Sequence, residues 1–168
     1  SITFATGDST FQSLASTANT GAILGTAALT VAGASTFTAS GSNQPITLSN
    51  TSNAFAGSVS LNTAGSLANT TLVTNSSLTL GTSTIGGDQA VTVGGTSQTL
   101  NIAGVQTVGG TITLQSSGDL TLTESLVTLL PTIFTLSIVN FLPSKIFIST
   151  SIPSSSNVSI ACIESGTM

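Results

Sequence analysis

The segment Asn53-Ala-Phe-Ala-Gly-Ser-Val-Ser-Leu61 opens a region in which an apolar residue, a small polar residue and a second apolar residue follow one another. This three-residue pattern recurs as far as residue 122, between turns rich in Gly, Ser, Asn and Thr. The triplets are Leu78-Thr79-Leu80, Val91-Thr92-Val93, Leu100-Asn101-Ile102, Ile112-Thr113-Leu114 and Leu120-Thr121-Leu122. A triplet is too short to form an independent strand pair, so it buries its apolar residues only by stacking on copies of itself. The sequence therefore predicts a solenoid.

The spacing of the triplets predicts the length of one coil. Four further triplets lie upstream, and they begin at Ile2, Leu29, Phe37 and Ile46. Neighbouring triplets often lie roughly 8 to 13 residues apart, and every second triplet roughly 19 to 22 residues apart, which predicts coils of that length with two or three strands each. Residues 13–22 are rich in Ala and Thr without a clear period, and we expect a helical turn there.

A longer period is also visible. The triplets at Leu29, Phe37 and Ile46 align with those at Val91, Leu100 and Ile112, offset by roughly 62 to 66 residues. Three coils per super-repeat would explain both periods. The corners between triplets carry Gly86-Gly87, Gly94-Gly95 and Gly109-Gly110, where we expect positive φ angles because glycine adopts them most easily.

Side chains alternate along a strand, so the two apolar residues of each triplet share the inner face and the middle residue points outward. Stacked coils would therefore carry an outer ladder of Thr, formed by Thr30, Thr38, Thr47, Thr79, Thr92, Thr113 and Thr121. A regular, flat Thr array is one way to bind ice, although unequal corners would disturb a lattice match. An antiparallel sandwich of short strands is the competing fold, and it is disfavoured because the corners lack Asn-Gly or Asp-Gly hairpin turns.

The charge content restricts the possible partners. Charged residues make up 4% of the chain, against roughly 25% in average proteins, and Lys145 is the one basic residue. Nucleic-acid binding needs Lys and Arg to neutralise phosphates, so we expect no nucleic-acid partner. The chain has no His, and its single Cys, Cys162, can form neither an internal disulfide nor a familiar Cys/His zinc site.

The acidic residues are the remaining candidates for chemistry. Asp88, Asp119 and Glu124 are the carboxylates from which a sugar-cleaving pair would be drawn, but the first two follow glycines and are typical of turns. Gly86-Gly87-Asp88 is a single fragment of a calcium-binding nonapeptide, and Gly109-Gly110-Thr111 lacks the Lys and the helix of a phosphate-binding loop. We therefore expect no catalytic residue, no metal and no cofactor, and a chain that is not an enzyme.

The character of the sequence changes at about Glu124. Residues 126–143 are uncharged and strongly apolar and contain no Gly, and residues 150–157 are rich in Ser and Pro. We predict a solenoid domain at residues 1–124 and a tail at residues 125–168. Three interpretations of the tail stay open: an apolar cap over the end of the solenoid, a membrane anchor, and an out-of-frame extension that is not native to the repeat.

The segment 53–61 resembles the repeats of filamentous-haemagglutinin-like bacterial exoproteins, with Ile46-Thr-Leu-Ser-Asn before it and Val91-Thr-Val-Gly-Gly after it. The resemblance covers roughly residues 26–124. These proteins are large surface or secreted adhesins, with a passenger of the two-partner-secretion or autotransporter type. The resemblance implies a right-handed parallel β-helix, an extracellular or outer cell-surface location, and binding to receptors or glycans on host or neighbouring cells.

The sequence and the resemblance together predict an all-β chain, a fragment of a right-handed parallel β-helix with an atypical apolar C-terminal tail. Since Ser1 already lies beside a triplet and no secretory signal is visible, we expect a piece of a longer polypeptide. The predicted function is that of a structural and adhesive repeat module without catalysis. The alternatives are a small membrane-anchored surface protein with a solenoid ectodomain and an ice-binding solenoid. Open solenoid ends also predict self-association.

Overall fold

The computed structural model describes residues 1–124, 126–128, 134–140 and 158–164, all of them in strands or in the turns between strands. In chain order the strands are β1 (Ile2–Phe4), β2 (Ser9–Phe11), β3 (Leu14–Ala18), β4 (Ile23–Gly25), β5 (Leu29–Val31), β6 (Ser35–Ser42), β7 (Ile46–Leu48), β8 (Ala54–Phe55), β9 (Ser58–Ala64), β10 (Thr70–Thr74), β11 (Leu78–Leu80), β12 (Ser83–Ile85), β13 (Gln89–Val93), β14 (Leu100–Ile102), β15 (Gln106–Val108), β16 (Ile112–Ser116), β17 (Leu120–Leu122), β18 (Leu126–Thr128), β19 (Phe134–Asn140) and β20 (Val158–Glu164).

The strands β1–β18 wind into six coils of three strands each. The first strand of every coil lies on face 1, in the order β1, β4, β7, β10, β13 and β16. The second strands (β2, β5, β8, β11, β14 and β17) form face 2, and the third strands (β3, β6, β9, β12, β15 and β18) form face 3. Each strand pairs in parallel with the strand one coil away. The predicted parallel β-solenoid is therefore confirmed and the antiparallel sandwich is excluded, while the right hand of the winding stays a prediction.

The core runs along the axis of the solenoid as a column of fully buried aliphatic side chains with a few aromatic ones. Leu78, Leu80, Val91 and Val93 are at most 2% exposed, whereas Thr79 between the first two is half-buried on the outside. Every triplet predicted from the sequence lies within a strand. The triplets from Leu29 to Leu114 alternate in this way, whereas both apolar residues of the first triplet and Leu122 of the last are only half-buried. The helical turn expected in residues 13–22 was wrong, because residues 14–18 form strand β3. Stacking on β6 supplies the strand with partners that its local sequence does not reveal.

The coils differ in length, but the strands stay in register. Along face 1 the step is 19 residues from Thr70 to Gln89 and 24 residues from Ile46 to Thr70. The corners absorb the difference, and a bulge between Ala39 and Ser42 absorbs part of it within β6. The strand columns of faces 1 and 3 therefore continue through unequal coils.

Faces 2 and 3 meet at β9, between the third and fourth coils. The first part of β9 pairs with β11 through Ser58 and Val59, and its second part pairs with β12 through Asn62. Strand β8 pairs with β5 alone among the described strands. Side chains link the coils at this junction, because Thr74 Oγ1 and Ser76 Oγ both donate hydrogen bonds to the carbonyl oxygen of Asn53.

The corner glycines are needed mainly because the backbones of successive coils lie very close together, and less often because their φ angle is positive. Of the six glycines for which positive φ was expected, Gly95 alone has it, at 76°. A Cβ on Gly86 would overlap the carbonyl oxygen of Gly65 in the preceding coil, and a Cβ on Gly109 would overlap that of Gly86. The corner between faces 3 and 1 therefore requires stacked glycines because the backbones of successive coils nearly touch.

Strands β18, β19 and β20 come from the region predicted as the tail. The backbone of β18 pairs with β15 as the third strand of coil six, and β19 and β20 extend face 1 beyond β16. The stretch proposed as a membrane anchor, residues 126–143, falls partly outside the described residues. Within them, no helix is long and apolar enough to cross a membrane.

Candidate functional site

The seven threonines expected to form one ladder all point outward, but they lie on different faces. Thr47, Thr92 and Thr113 are on face 1, Thr30, Thr79 and Thr121 on face 2, and Thr38 on face 3. On face 1 the outer residues that pair in register are Thr3, Leu24, Thr47, Thr71, Ala90 and Thr113. The predicted single Thr ladder is thus wrong, because triplets from all three faces share one sequence pattern.

The most regular outer column lies on face 3. We call it the face 3 column, and its members pair in register through five coils: Thr17, Thr38, Asn62, Thr84 and Thr107. All five side chains are exposed or half-buried. Strands in a sheet lie about 4.8 Å apart, so the column repeats hydroxyl and amide groups at that interval. Of these five residues Thr38 alone lies in a predicted triplet, because the other four lie in strands with polar or small inner residues.

The three carboxylates considered for catalysis lie at three different corners of the solenoid. Asp88 precedes β13 on the way from face 3 to face 1, Asp119 lies between faces 1 and 2, and Glu124 lies between faces 2 and 3. The five-residue strand between the first two corners spans roughly 16 Å at the usual rise per residue. Glycosidase pairs lie about 5 to 10 Å apart, so Asp88 and Asp119 do not form such a pair.

Asp88 links its own coil to the coils on either side by hydrogen bonds. Its Oδ1 accepts from the backbone N–H of Thr111 at 2.8 Å and from the Thr111 hydroxyl at 3.0 Å, while its own N–H donates to Asn69 Oδ1 at 2.8 Å. A Cβ on Gly110 would overlap Asp88 Oδ1, so the glycine belongs to this corner. The segments 86–88 and 109–111, which were compared with calcium-binding and phosphate-binding loops, therefore form corners whose side chains make hydrogen bonds with backbone groups. In the part of the chain that the structure describes, no three His, Cys, Asp or Glu residues cluster as metal ligands.

One buried asparagine and one pair of buried glutamines inside the solenoid were not predicted from the sequence. Asn53 accepts from the N–H of Leu29 at 2.9 Å and donates to the carbonyl oxygens of Leu48 and Val73 at 3.2 and 3.1 Å, so it ties three coils together. Gln89 and Gln106 form a fully buried amide pair at 3.0 Å. These residues sit where the triplet pattern places an apolar residue, which is why the pattern passes over them.

A pocket of about 310 Å³ opens on face 1 of the fifth coil. Its floor contains Thr92 and Gln115, which are register partners on β13 and β16. Its wall is the connection after β13, of which residues 94–97 line the pocket, and Ser117 completes it. We call it the shelf pocket.

Two stretches of the chain, residues 1–62 and 67–128, match the family described as repeats of unknown function (DUF5649). The chain belongs to this family. The two matches correspond to three coils each, since the first covers β1–β8 and most of β9 and the second covers β10–β18. No curated protein and no solved structure matches the chain significantly.

The two DUF5649 repeats confirm a super-repeat of three coils, with their starts 66 residues apart. The alignment made from the triplets was right for Ile46 and Ile112, which lie on face 1 of the third and sixth coils. It was wrong for the other two pairs. Leu29 lies on face 2 but was aligned with Val91, which lies on face 1. Phe37 lies on face 3 but was aligned with Leu100, which lies on face 2. The equivalent of β5 is β14, displaced by an insertion before it.

Proposed function

We propose that the chain is a structural and adhesive repeat module of a large bacterial surface or secreted protein of the filamentous-haemagglutinin-like kind, and that it acts without catalysis. In this proposal the module lies outside the cell or on its outer surface, and it binds receptors or glycans on host or neighbouring cells. The supporting observation is the face 3 column, an uncharged row of hydroxyl and amide groups held at a fixed interval by the stacked strands.

The geometry of the column favours many weak contacts over one strong contact. Every member stands on a strand whose neighbours lie one coil away, so the groups are positioned in advance and lose little freedom on binding. An extended ligand with repeating hydroxyls can pair with several members at once, and linked contacts of this type add up to useful avidity. Such a surface needs neither a deep cavity nor a charged anchor.

The experiment compares two triple variants of the full chain. Thr38→Glu, Thr84→Glu and Thr107→Glu place charges on the face 3 column, and Thr47→Glu, Thr71→Glu and Thr113→Glu place the same charges on face 1. Binding to immobilised glycans and to host or bacterial cells is measured for both, after circular dichroism has shown that they fold. We expect at least a tenfold loss of binding from the face 3 variant alone. Equal losses, or no binding by the parent chain, would contradict the proposal.

A second candidate function is ice binding, and a specific observation favours it. Unequal corners were expected to disturb the array, yet the column stays in register through coils of different length. Thr36 and Ser60 form a second row beside it on face 3. Thermal hysteresis of the purified chain tests this candidate: a gap between melting and freezing that the face 3 variant abolishes supports it, and the absence of a gap rejects it.

A further inference from the structure

We propose that the shelf pocket binds one ring of a neutral sugar, an inference that deepens the proposed adhesive function and takes its biological meaning from it. It adds to the face 3 column a second place where the module recognises a ligand, and it names the chemical class of that ligand. The pocket lies on face 1, away from the face 3 column.

The wall of the pocket is held at both ends. The N–H of Gly94 donates to the carbonyl oxygen of Thr74 at 2.7 Å, and Ser117 Oγ donates to the carbonyl oxygen of Gly94 at 2.9 Å. At the other end Gln98 N–H donates to Ser117 Oγ, and Gln98 Oε1 accepts from Ser77 N–H at 2.8 Å. The connection is therefore fixed before a ligand arrives, which lowers the entropic cost of binding.

The tip of the wall has an uncommon backbone. Gly95 and Ser97 have φ angles of 76° and 54°, and Ser97 is one of two non-glycine residues with positive φ among those described. Such conformations are costly for residues with a Cβ, and they cluster at binding sites where the surrounding structure maintains them. The exposed hydroxyls of Thr96 and Ser97 stand at this tip.

The floor supplies polar side chains that make no hydrogen bond among the described residues. The side chains of Thr92 and Gln115 are half-buried, and neither makes a hydrogen bond within the residues that the structure describes. A hydroxyl and an amide can each donate and accept, as sugar hydroxyls do. Among the described residues no charged side chain lines the pocket, so they offer no counter-ion for an ionic ligand. A volume of about 310 Å³ is at the lower end of ligand sites, which suits a single ring.

The first repeat contains no equivalent wall. The corresponding connection between β4 and β5 is residues 26–28, whereas residues 94–99 separate β13 from β14. Inserted loops on a rigid scaffold are common carriers of binding function. The sugar site therefore belongs to the second repeat and not to the coil plan that both repeats share.

The test uses the full chain labelled with nitrogen-15 and free galactose, mannose and N-acetylglucosamine as probes at millimolar concentration. We expect saturable shifts of the amide signals of Thr92, Thr96, Ser97 and Gln115 with at least one sugar. The double variant Thr92→Val and Gln115→Ala should weaken binding at least tenfold, whereas Thr113→Val, on the same face but outside the pocket, should leave it unchanged.

The outcomes separate the site from the proposed function. No shift with any of the three sugars, or equal weakening by Thr113→Val, overturns the site. Adhesion to cells without sugar-induced shifts leaves the adhesive function standing and removes the pocket from it. Sugar-induced shifts without adhesion leave the pocket standing and remove the adhesive function. A single Thr92→Val variant covers the case in which the double variant fails to fold.

Discussion

Phe37 and Gln106 occupy the same inner column of face 3, in the second coil of the first repeat and the second coil of the second repeat. Phe37 packs edge-on against Phe55, with ring centroids 6.2 Å apart and an interplanar angle of 85°. Gln106 instead accepts from Gln89 Nε2 and donates to the carbonyl oxygens of Gly81 and Gly104 at 2.6 and 2.8 Å. One coil plan thus accepts an aromatic core or an amide core in which the Gln106 side chain is fully hydrogen-bonded, although Gln89 Oε1 is buried without a partner among the described residues.

The largest effect is expected from a charge in the shared core. Leu48 and Leu114 are fully buried at equivalent face 1 positions of the two repeats, and a carboxylate at either place costs roughly 5 kcal/mol or more. We expect Leu48→Asp and Leu114→Asp each to abolish the cooperative thermal transition measured by circular dichroism. Thr47→Asp and Thr113→Asp, the outward neighbours, are the controls and should melt close to the parent chain. If either core variant kept about half of the change in circular dichroism signal on heating, the two repeats would unfold separately.

Removing the aromatic core comes next. Phe37→Ala leaves a cavity beside Phe55 and should lower the free energy of unfolding by about 3 to 5 kcal/mol. Phe37→Leu, which retains most of the volume, should cost less than half of that. Chemical denaturation with urea measures both. If Phe37→Gln proves as stable as the parent chain, a buried amide can replace the aromatic ring at this position, which would contradict the prediction.

The amide core should respond to paired changes in a way that the aromatic core does not. Gln106→Leu removes three hydrogen bonds and leaves the Gln89 amide without its partner, at a cost of about 2 to 3 kcal/mol. The double variant Gln89→Leu and Gln106→Leu should cost less than the sum of the two single changes, by roughly 1 to 2 kcal/mol. Urea denaturation of the four chains in this cycle gives the coupling. Simple additivity would show that the two amides act independently.

The smallest effect is expected at the corner. Asp88 bonds to Thr111 in the next coil, whereas the equivalent position of the first repeat is Ala22. Asp88→Ala should therefore cost about 1 kcal/mol, and Asp88→Asn, which keeps an acceptor, only a few tenths. Asp119→Ala serves as the control because its carboxylate makes no hydrogen bond among the described residues. Thermal melts of the three variants resolve the order, and an equal loss from Asp119→Ala would assign the effect to charge alone.

The sequence predicted most of the fold because the triplets are local. Val91-Thr92-Val93 states by itself which side chains point inward, and the recurrence of such triplets implies stacking. The triplet pattern did not predict the strands whose inner residues are polar. Strands β12 and β15 begin with Ser83 and Gln106, so neither contains an apolar-polar-apolar triplet. The face 3 column lies partly on those strands, and for that reason it was also missed. The shelf pocket was missed because a six-residue connection carries no signal of the wall it forms.

The sequence alone determined that the chain is all-β and that its strands alternate between an apolar inside and a polar outside, and it indicated a repeat of three coils. Those properties follow from side-chain period and spacing, which are written residue by residue. The tertiary structure alone decided which face each triplet occupies, which threonines align and which buried amides meet. These depend on register between coils 19 to 24 residues apart, and corner length sets that register through backbone contacts that no single coil contains.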